Sequence, residues 1–324
     1  MKFRILAVLL AAVLLCGCNG AAQESAVTTV KYVGLCYRDD GGELEQTLES
    51  KLWAAGFQVM TADSHNDQAE QNRKAEQLLI RGCDLLIVEP VMVSALDELV
   101  AMAGENDTPM LLVNYEPQMS VLESNENISF AGCDPSQLGS LQAQLVMQLP
   151  DKGDINGDGI ISCMIIRGPE DHVDADLRTQ SCLTALKDGG MQVDVLCQEY
   201  GDWTEDSGRA ICAQKLAQYG KDVEVIFCSN DDMTLGAIVA IEERGWVVGE
   251  DFYLVGCEAT DETLKLAAVG KLSGTVLTDH EALTEKILEI ARLMSEGVPM
   301  DKKYYVNYIG VNSQNAAQYV QAYN

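Results

Sequence analysis

The chain has 324 residues, of which 47% are hydrophobic and 22% charged. At roughly 150 residues per domain this suggests two domains with real cores, and excludes a disordered polymer. Fifty acidic residues against 22 basic ones give a formal net charge of −28. No Lys/Arg cluster is present to hold a phosphate backbone or an anionic membrane surface, which argues against nucleic-acid binding.

Met1–Arg4 is a short positive segment, and Ile5–Leu15 is an unbroken apolar run. That run is too short to span a bilayer and suits a secretory signal peptide. Leu15-Cys16-Gly17-Cys18 resembles a bacterial lipobox, which implies cleavage before Cys18 and a lipid on its thiol; ordinary secretion with cleavage near Ala21-Ala22 is the alternative. The expected layout is a signal peptide over 1–17 and a lipid anchor and tether over 18–30. The mature protein is then extracytoplasmic and lipid-anchored. Nine cysteines remain after Cys16 and Cys18, an odd number with no Cys-x-x-Cys among them. They read as small buried hydrophobes rather than a zinc or redox site.

Strand-length apolar runs then recur: Lys31–Arg38, Phe57–Ala62, Asp84–Pro90, Met110–Tyr115, Ile128–Cys133, Ile161–Arg167, Met191–Cys197, Val223–Ser229, Phe252–Cys257 and Leu272–Leu277. Helical periodicity fills the gaps. Leu44, Leu48 and Leu52 share one face, as do Leu138, Leu141, Leu145 and Met147. Leu283, Ile287, Ile290 and Leu293 mark a long helix stopped by Gly297 and Pro299. Regular alternation predicts an α/β fold with two doubly wound parallel-sheet lobes. Ligands of such sheets bind beyond the carboxyl ends of the strands. Asn114, Asn230, Glu258 and Asp279 stand at such ends. No glycine-rich phosphate loop follows any strand.

Asp154-Ile155-Asn156-Gly157-Asp158-Gly159-Ile160-Ile161-Ser162 has the spacing of a calcium loop. Oxygen ligands fall at positions 1, 3 and 5, the backbone carbonyl of Ile160 at 7 and Ser162 at 9, with a glycine at 6 for the turn. Position 12 is Ile165, not the bidentate Glu, and the following residues are strand-like, so an EF-hand is excluded. A surface turn without metal is the alternative reading. Next, after Arg167-Gly168-Pro169, come His172, Asp174, Asp176 and Arg178. They suit a polar cluster that grips hydroxyls, with a catalytic His–Asp set conceivable. A plain helix start capped by Asp174 is the bland alternative. Trp203 could be a core residue, but its polar neighbours suit a loop aromatic that stacks on a sugar face.

Together, Asp63-Ser64-His65-Asn66-Asp67-Gln68, Asn114-Tyr115-Glu116-Pro117, the loop at 154–162, His172–Thr179, Asp202-Trp203, Ser229-Asn230-Asp231, Gly274–Leu277 and Tyr308–Val311 resemble the galactose/glucose-binding proteins of bacterial ABC transporters. Those have the type I periplasmic binding protein fold. The resemblance implies a monosaccharide caught between two lobes and delivered to a permease by a monomer, with no catalysis. It implies sugar contacts at Asp40, Asn114, His172, Asp174, Arg178, Trp203, Asn230, Glu258 and Thr278. Glu258 stands where the family has Asp, and Thr278 where it has Asn. The aromatic on the sugar's second face is replaced by Leu44 or Gly42, depending on register. It implies one structural Ca2+ held by Asp154, Asn156, Asp158, the Ile160 carbonyl, Ser162 and Glu224. The expected lobes are 31–132 plus 279–304, and 133–278 plus 305–324. Another sugar or a nucleoside as ligand is the main alternative; a calcium-dependent scaffold and an extracellular sugar-active enzyme are others. A repressor of this fold would carry a basic helix-turn-helix where the lipobox stands.

Overall fold

A computed structural model describes residues 31–39, 43–170 and 172–320. Asp40 and Cys18, and with Cys18 the leader and tether, lie outside the described residues.

The chain begins β1 (Tyr32–Tyr37), α1 (Glu43–Ala54), β2 (Gln58–Asp63), α2 (Gln68–Ile80), β3 (Leu85–Val88), α3 (Asp97–Glu105), β4 (Met110–Asn114), α4 (Met119–Glu123) and β5 (Ile128–Cys133). It continues α5 (Pro135–Met147), β6 (Ile160–Arg167), α6 (Val173–Asp188), β7 (Gln192–Tyr200), α7 (Glu205–Tyr219), β8 (Val225–Cys228), α8 (Asp231–Glu242), β9 (Tyr253–Val255), α9 (Asp261–Ala268) and β10 (Thr275–Leu277). Last come α10 (His280–Ser295), β11 (Lys303–Val306), β12 (Ile309–Val311) and α11 (Ala316–Val320).

The first lobe is a parallel sheet in the order β11-β5-β4-β3-β1-β2. Its β3 and β5 are buried along their whole length, as strands covered on both faces must be. The apolar stripe Leu44, Leu48 and Leu52 of α1 packs with Leu283, Ile287 and Ile290 of α10 on one face. Leu78, Leu99, Leu122 and Phe130 fill the other. The second lobe has the parallel order β7-β6-β8-β9. Gly256 N–H donates to Gly274 O at 2.9 Å and Glu258 N–H to Val276 O at 2.8 Å, which continues this sheet onto β10. The antiparallel β12 closes the edge.

The chain passes between lobes at 133–134, 278–279 and 307–308, each time at a strand end. Asp134 caps α5 through Ser136 N–H, with Pro135 in the first turn, and Asp279 caps α10 through Ala282 N–H at 2.9 Å. β11 pairs with β5 through Val306, so the first lobe's sheet runs two residues beyond the 304/305 boundary expected from sequence. Nine cysteines, from Cys36 to Cys257, are free thiols; all are buried except the half-buried Cys197. Burial pushes Cys36 and Cys83 up to about 11, so they act as inert apolar fillers. Among the described residues no helix is long and apolar enough to cross a membrane.

Candidate functional site

A cleft of about 430 Å³ opens where the carboxyl ends of the two sheets face each other. Of the residues expected to contact a ligand, Asn114, Asp174, Arg178, Glu258 and Thr278 line it. His172, Trp203 and Asn230 form a second cluster on the same lobe as Arg178, outside that lining.

The second lobe's half rests on close helix packing. A Cβ at Gly139 of α5 would lie 1.9 Å from the Arg178 carbonyl oxygen, so only glycine lets α6 approach this near. His172, not Asp174, caps α6: its Nδ1 accepts from Ala175 N–H at 3.4 Å. That corrects the bland expectation and leaves the Asp174 carboxylate for the cleft. Burial pushes the His172 imidazole below its usual range, with the charges of Arg178, Arg38 and Arg167 adding to this and Asp174 opposing it. Arg178 Nη1 donates to Ser229 O at 2.8 Å, while its buried Nε has no partner among the described residues. It is a donor still to be used.

Glu258 sits at φ 113° and Ala259 at φ 57°, a left-handed excursion strained for non-glycine residues. Asp231 holds this turn. Fully buried, its carboxylate accepts from Cys257 N–H (2.9 Å), Thr260 N–H (2.8 Å), Thr275 Oγ1 (3.0 Å) and Thr263 Oγ1. Gln142 of α5 adds two bonds, to Cys228 O and Gly256 O. Desolvation by the surrounding protein, with the charge of Asp231 behind it, holds the Glu258 carboxyl at about 7; Arg178 opposes the rise.

In the second cluster, the His172 and Trp203 rings meet edge to face at 5.0 Å. Trp203 covers Gly168, where a Cβ would fall 2.1 Å from its ring. Asn230 caps α8 through Met233 N–H and donates to Trp203 O, so both ends of its amide are engaged.

On the first lobe, Asn114 takes the left-handed conformation (φ 68°) that Asn tolerates, and Nδ2 donates to Glu89 Oε1 at 2.8 Å. Leu44, weighed as filling the aromatic's place, is buried in the α1 face, so it does not wall the cleft. Tyr115 and Tyr308 do line it. Tyr115 is overlaid by the Arg38 guanidinium, 5.0 Å from its ring centre. Tyr115 directly follows the strand-end Asn114, a position that could have flagged it. Asp231 and Tyr308 fell within the segments that carry the family resemblance but were given no role there, and Glu89, inside the apolar run Asp84–Pro90, carried no signal beyond its type.

The loop at 154–162 folds on itself. Asp154 accepts from Gly157, Asp158 and Gly159 N–H, Asn156 from Asp158 N–H, and Asp158 from Ile160 N–H. Glu224, 1% exposed, enters from the segment before β8 and accepts from Asn156 and Ser162 N–H, both at 2.9 Å. The loop and Glu224 are thus brought together across more than 60 residues of chain. Their oxygen-only donor chemistry fits a hard cation. In this geometry each carboxylate faces backbone N–H groups, and among the described residues no three His, Cys, Asp or Glu side chains converge in metal-binding arrangement.

Two parallel-sheet lobes, three crossings and a polar cleft between the strand ends define a two-lobed capture protein. A family model, described as a periplasmic binding protein domain, matches residues 37–298, and the chain belongs to that family. It is 26% identical over 286 residues to the D-galactose/methyl-galactoside binding periplasmic protein MglB of Haemophilus influenzae, covering 84% of this chain and 85% of that one. It is 24% identical to the ribose import binding protein RbsB of Bacillus subtilis, over 80% and 78% of the two chains. Among solved structures, an ABC transporter solute binding protein of Bacillus halodurans with bound myo-inositol aligns at TM-score 0.72 and 23% identity, covering 90% and 97% of the chains. A periplasmic ribose ABC transporter protein of Conexibacter woesei aligns at TM-score 0.77 and 19% identity, covering 90% and 95%.

Proposed function

We propose that this protein captures a monosaccharide of the galactose/glucose type, or a related small polyol, in the cleft and delivers it to an ABC permease. The observation that carries this is the convergence of Asn114, Asp174, Arg178 and Glu258, from both lobes, on one cleft. They offer carboxylate acceptors, a guanidinium donor and an amide, the set that vicinal hydroxyls need. Tyr115 and Tyr308 supply aromatic surface for C–H faces. Relatives with galactoside, ribose and myo-inositol in their names support the ligand class. Closure over the ligand is a population shift driven by contacts made in the closed state. Nothing here performs chemistry: the ligand is held and released.

The same reading places the protein outside the cytoplasm, lipidated at Cys18. It assigns Ca2+ to the loop, with Asp154, Asn156, Asp158, the Ile160 carbonyl and Glu224 as ligands. Ser162 is the last expected position, and water serves where its short side chain falls short. The ion would cross-link the loop to β8 and stabilise the second lobe.

The test is a thermal-shift panel with D-glucose, D-galactose, D-ribose, L-arabinose, myo-inositol and nucleosides, each with calcium and with chelator. A ligand at about 100 times its Kd adds roughly 2.7 kcal/mol, a plain rise in Tm. A rise with one sugar or polyol supports capture. Stabilisation by calcium alone would leave a metal-bound scaffold and reject the sugar reading.

A further inference from the structure

Behind Asn114, in the first lobe, lie two carboxyls that the capture reading leaves unused. Glu45, in the first turns of α1, and Glu89, just after β3, are 7% and 6% exposed. Their side chains lie within hydrogen-bonding reach of each other. Oε2 of Glu45 is buried, and no donor among the described residues reaches it. Two carboxylates in contact repel; one proton between them turns the contact into a hydrogen bond.

Glu89 also ties three strand ends together. Its N–H donates to Cys36 O at 3.0 Å, at the end of β1. Its Oε2 accepts from Arg38 N–H at 3.4 Å, and its carbonyl from Gln71 Nε2 at 2.7 Å. Its Oε1 accepts from Asn114 Nδ2 at 2.8 Å, at the end of β4. An amide whose N–H₂ is bound to a carboxylate has only one sensible orientation, with its oxygen left for the cleft that Asn114 lines.

We infer that Glu89 is a positioning residue for ligand capture: sharing one proton with Glu45, it fixes the Asn114 amide so that Oδ1 faces the cleft as an acceptor. The inference rests on the capture reading above. It names a property of the ligand: a hydroxyl or ammonium hydrogen is presented to Asn114.

The surroundings keep the proton in place. Tyr37 of β1 donates from its hydroxyl to the Glu45 carbonyl and faces Glu49 of α1. Asp39 follows β1 and adds negative charge. Arg38 turns its guanidinium to Asn66 and the Tyr115 ring. On β2, Asp63 pairs with His65; on α10, which His280 opens, Glu281 and Glu285 both engage Lys51 of α1. Burial first, then the Glu89 contact, holds the Glu45 carboxyl up at about 8. The pair therefore keeps its proton at neutral pH and loses it in alkaline solution, where Glu89 is pushed off Asn114.

The test follows the Asn114 side-chain amide by NMR in the full chain labelled with ¹⁵N-asparagine, its signal assigned by loss in Asn114→Ala. The wild-type signal is expected to titrate in mildly alkaline solution, near the value that Glu45 carries. In Glu45→Gln, whose amide donates to Glu89 without titrating, the signal is expected to stay fixed across the same range. In Glu89→Gln the Asn114 amide protons are expected to exchange faster with solvent than in the wild type. A wild-type signal that does not move with pH, or one that titrates unchanged in Glu45→Gln, overturns the inference. Glu45→Gln alone decides the matter if Glu89→Gln does not fold. A titrating Asn114 amide, with no thermal shift from D-galactose, D-ribose or myo-inositol, would sink the capture reading and leave the Glu89–Asn114 tether standing.

Discussion

On the second lobe's side of the cleft, Asp231 accepts four hydrogen bonds and carries the strained turn of Glu258 on a fully satisfied carboxylate. On the first lobe's side, the corresponding anchor is Glu89, which holds Asn114 but faces another buried carboxyl, with an oxygen of Glu45 left over. Both anchors sit just beyond a strand end and neither is among the residues lining the cleft. The difference is in what completes them. Asp231 draws its donors from backbone amides and threonine hydroxyls that do not titrate. Glu89 rests against the Glu45 carboxyl, which burial holds up at about 8. The second lobe's anchor is therefore held by four donors that do not titrate, while the first lobe's anchor rests against a second carboxyl raised by burial.

The largest way to break this contrast is Asp231→Ala. It leaves four donors without an acceptor and is expected to cost at least about 4 kcal/mol, at about 1–3 kcal/mol per buried unsatisfied group. Thermal unfolding should show a Tm lower by roughly 10 °C. Removing a cleft charge is next. Arg178→Ala and Asp174→Ala should each weaken sugar binding by about 2–5 kcal/mol, read by calorimetry, since each leaves its partners unpaired in a desolvated place. Chelator should lower the Tm of the wild type, by up to about 2.7 kcal/mol of lost stabilisation where calcium had stood at about 100 times its Kd. Glu224→Gln should make that loss permanent. Gly139→Ala pushes α6 off α5 and should cost about 1–3 kcal/mol by overpacking, with weaker sugar binding as a second readout.

The smallest effect sharpens the contrast through pH. Glu45 and Glu258 both carry folded-state values raised above their ordinary 4.5, to about 8 and about 7. Between the ordinary and raised values the folded chain binds more protons than the unfolded one, so their contribution to stability is present at low pH and fades as pH rises through each raised value. Glu45→Gln and Glu258→Gln should each flatten the fall in Tm across that interval.

Much of the fold was legible because buried parallel strands are written as unbroken apolar runs. Ile128–Cys133 was read residue for residue as β5, and the stripe Leu44, Leu48 and Leu52 of α1 is buried as expected. β11 was not read as a strand: Lys-Tyr-Tyr-Val is short and half exposed, and becomes a strand by pairing with the edge of β5. At the site, Asp174 and Arg178 stood out as a charged cluster, while the capping role of His172 was hidden because imidazole is an unusual cap. Glu45 and Glu89 drew no attention in the sequence, one among the polar positions of a helix and the other at the end of the apolar run Asp84–Pro90. Only folding puts them together, since their contact spans 44 positions and leaves no periodic trace.

Both lobes hold one ligand between them, if the cleft works as proposed. Isothermal calorimetry with the sugar or polyol that gives a thermal shift tests it most directly, on the wild type, Asn114→Ala from one lobe and Arg178→Ala from the other. Both substitutions are predicted to weaken the same binding event at unchanged stoichiometry. Loss in only one of them, with the other at wild-type affinity, would contradict a site shared across the cleft.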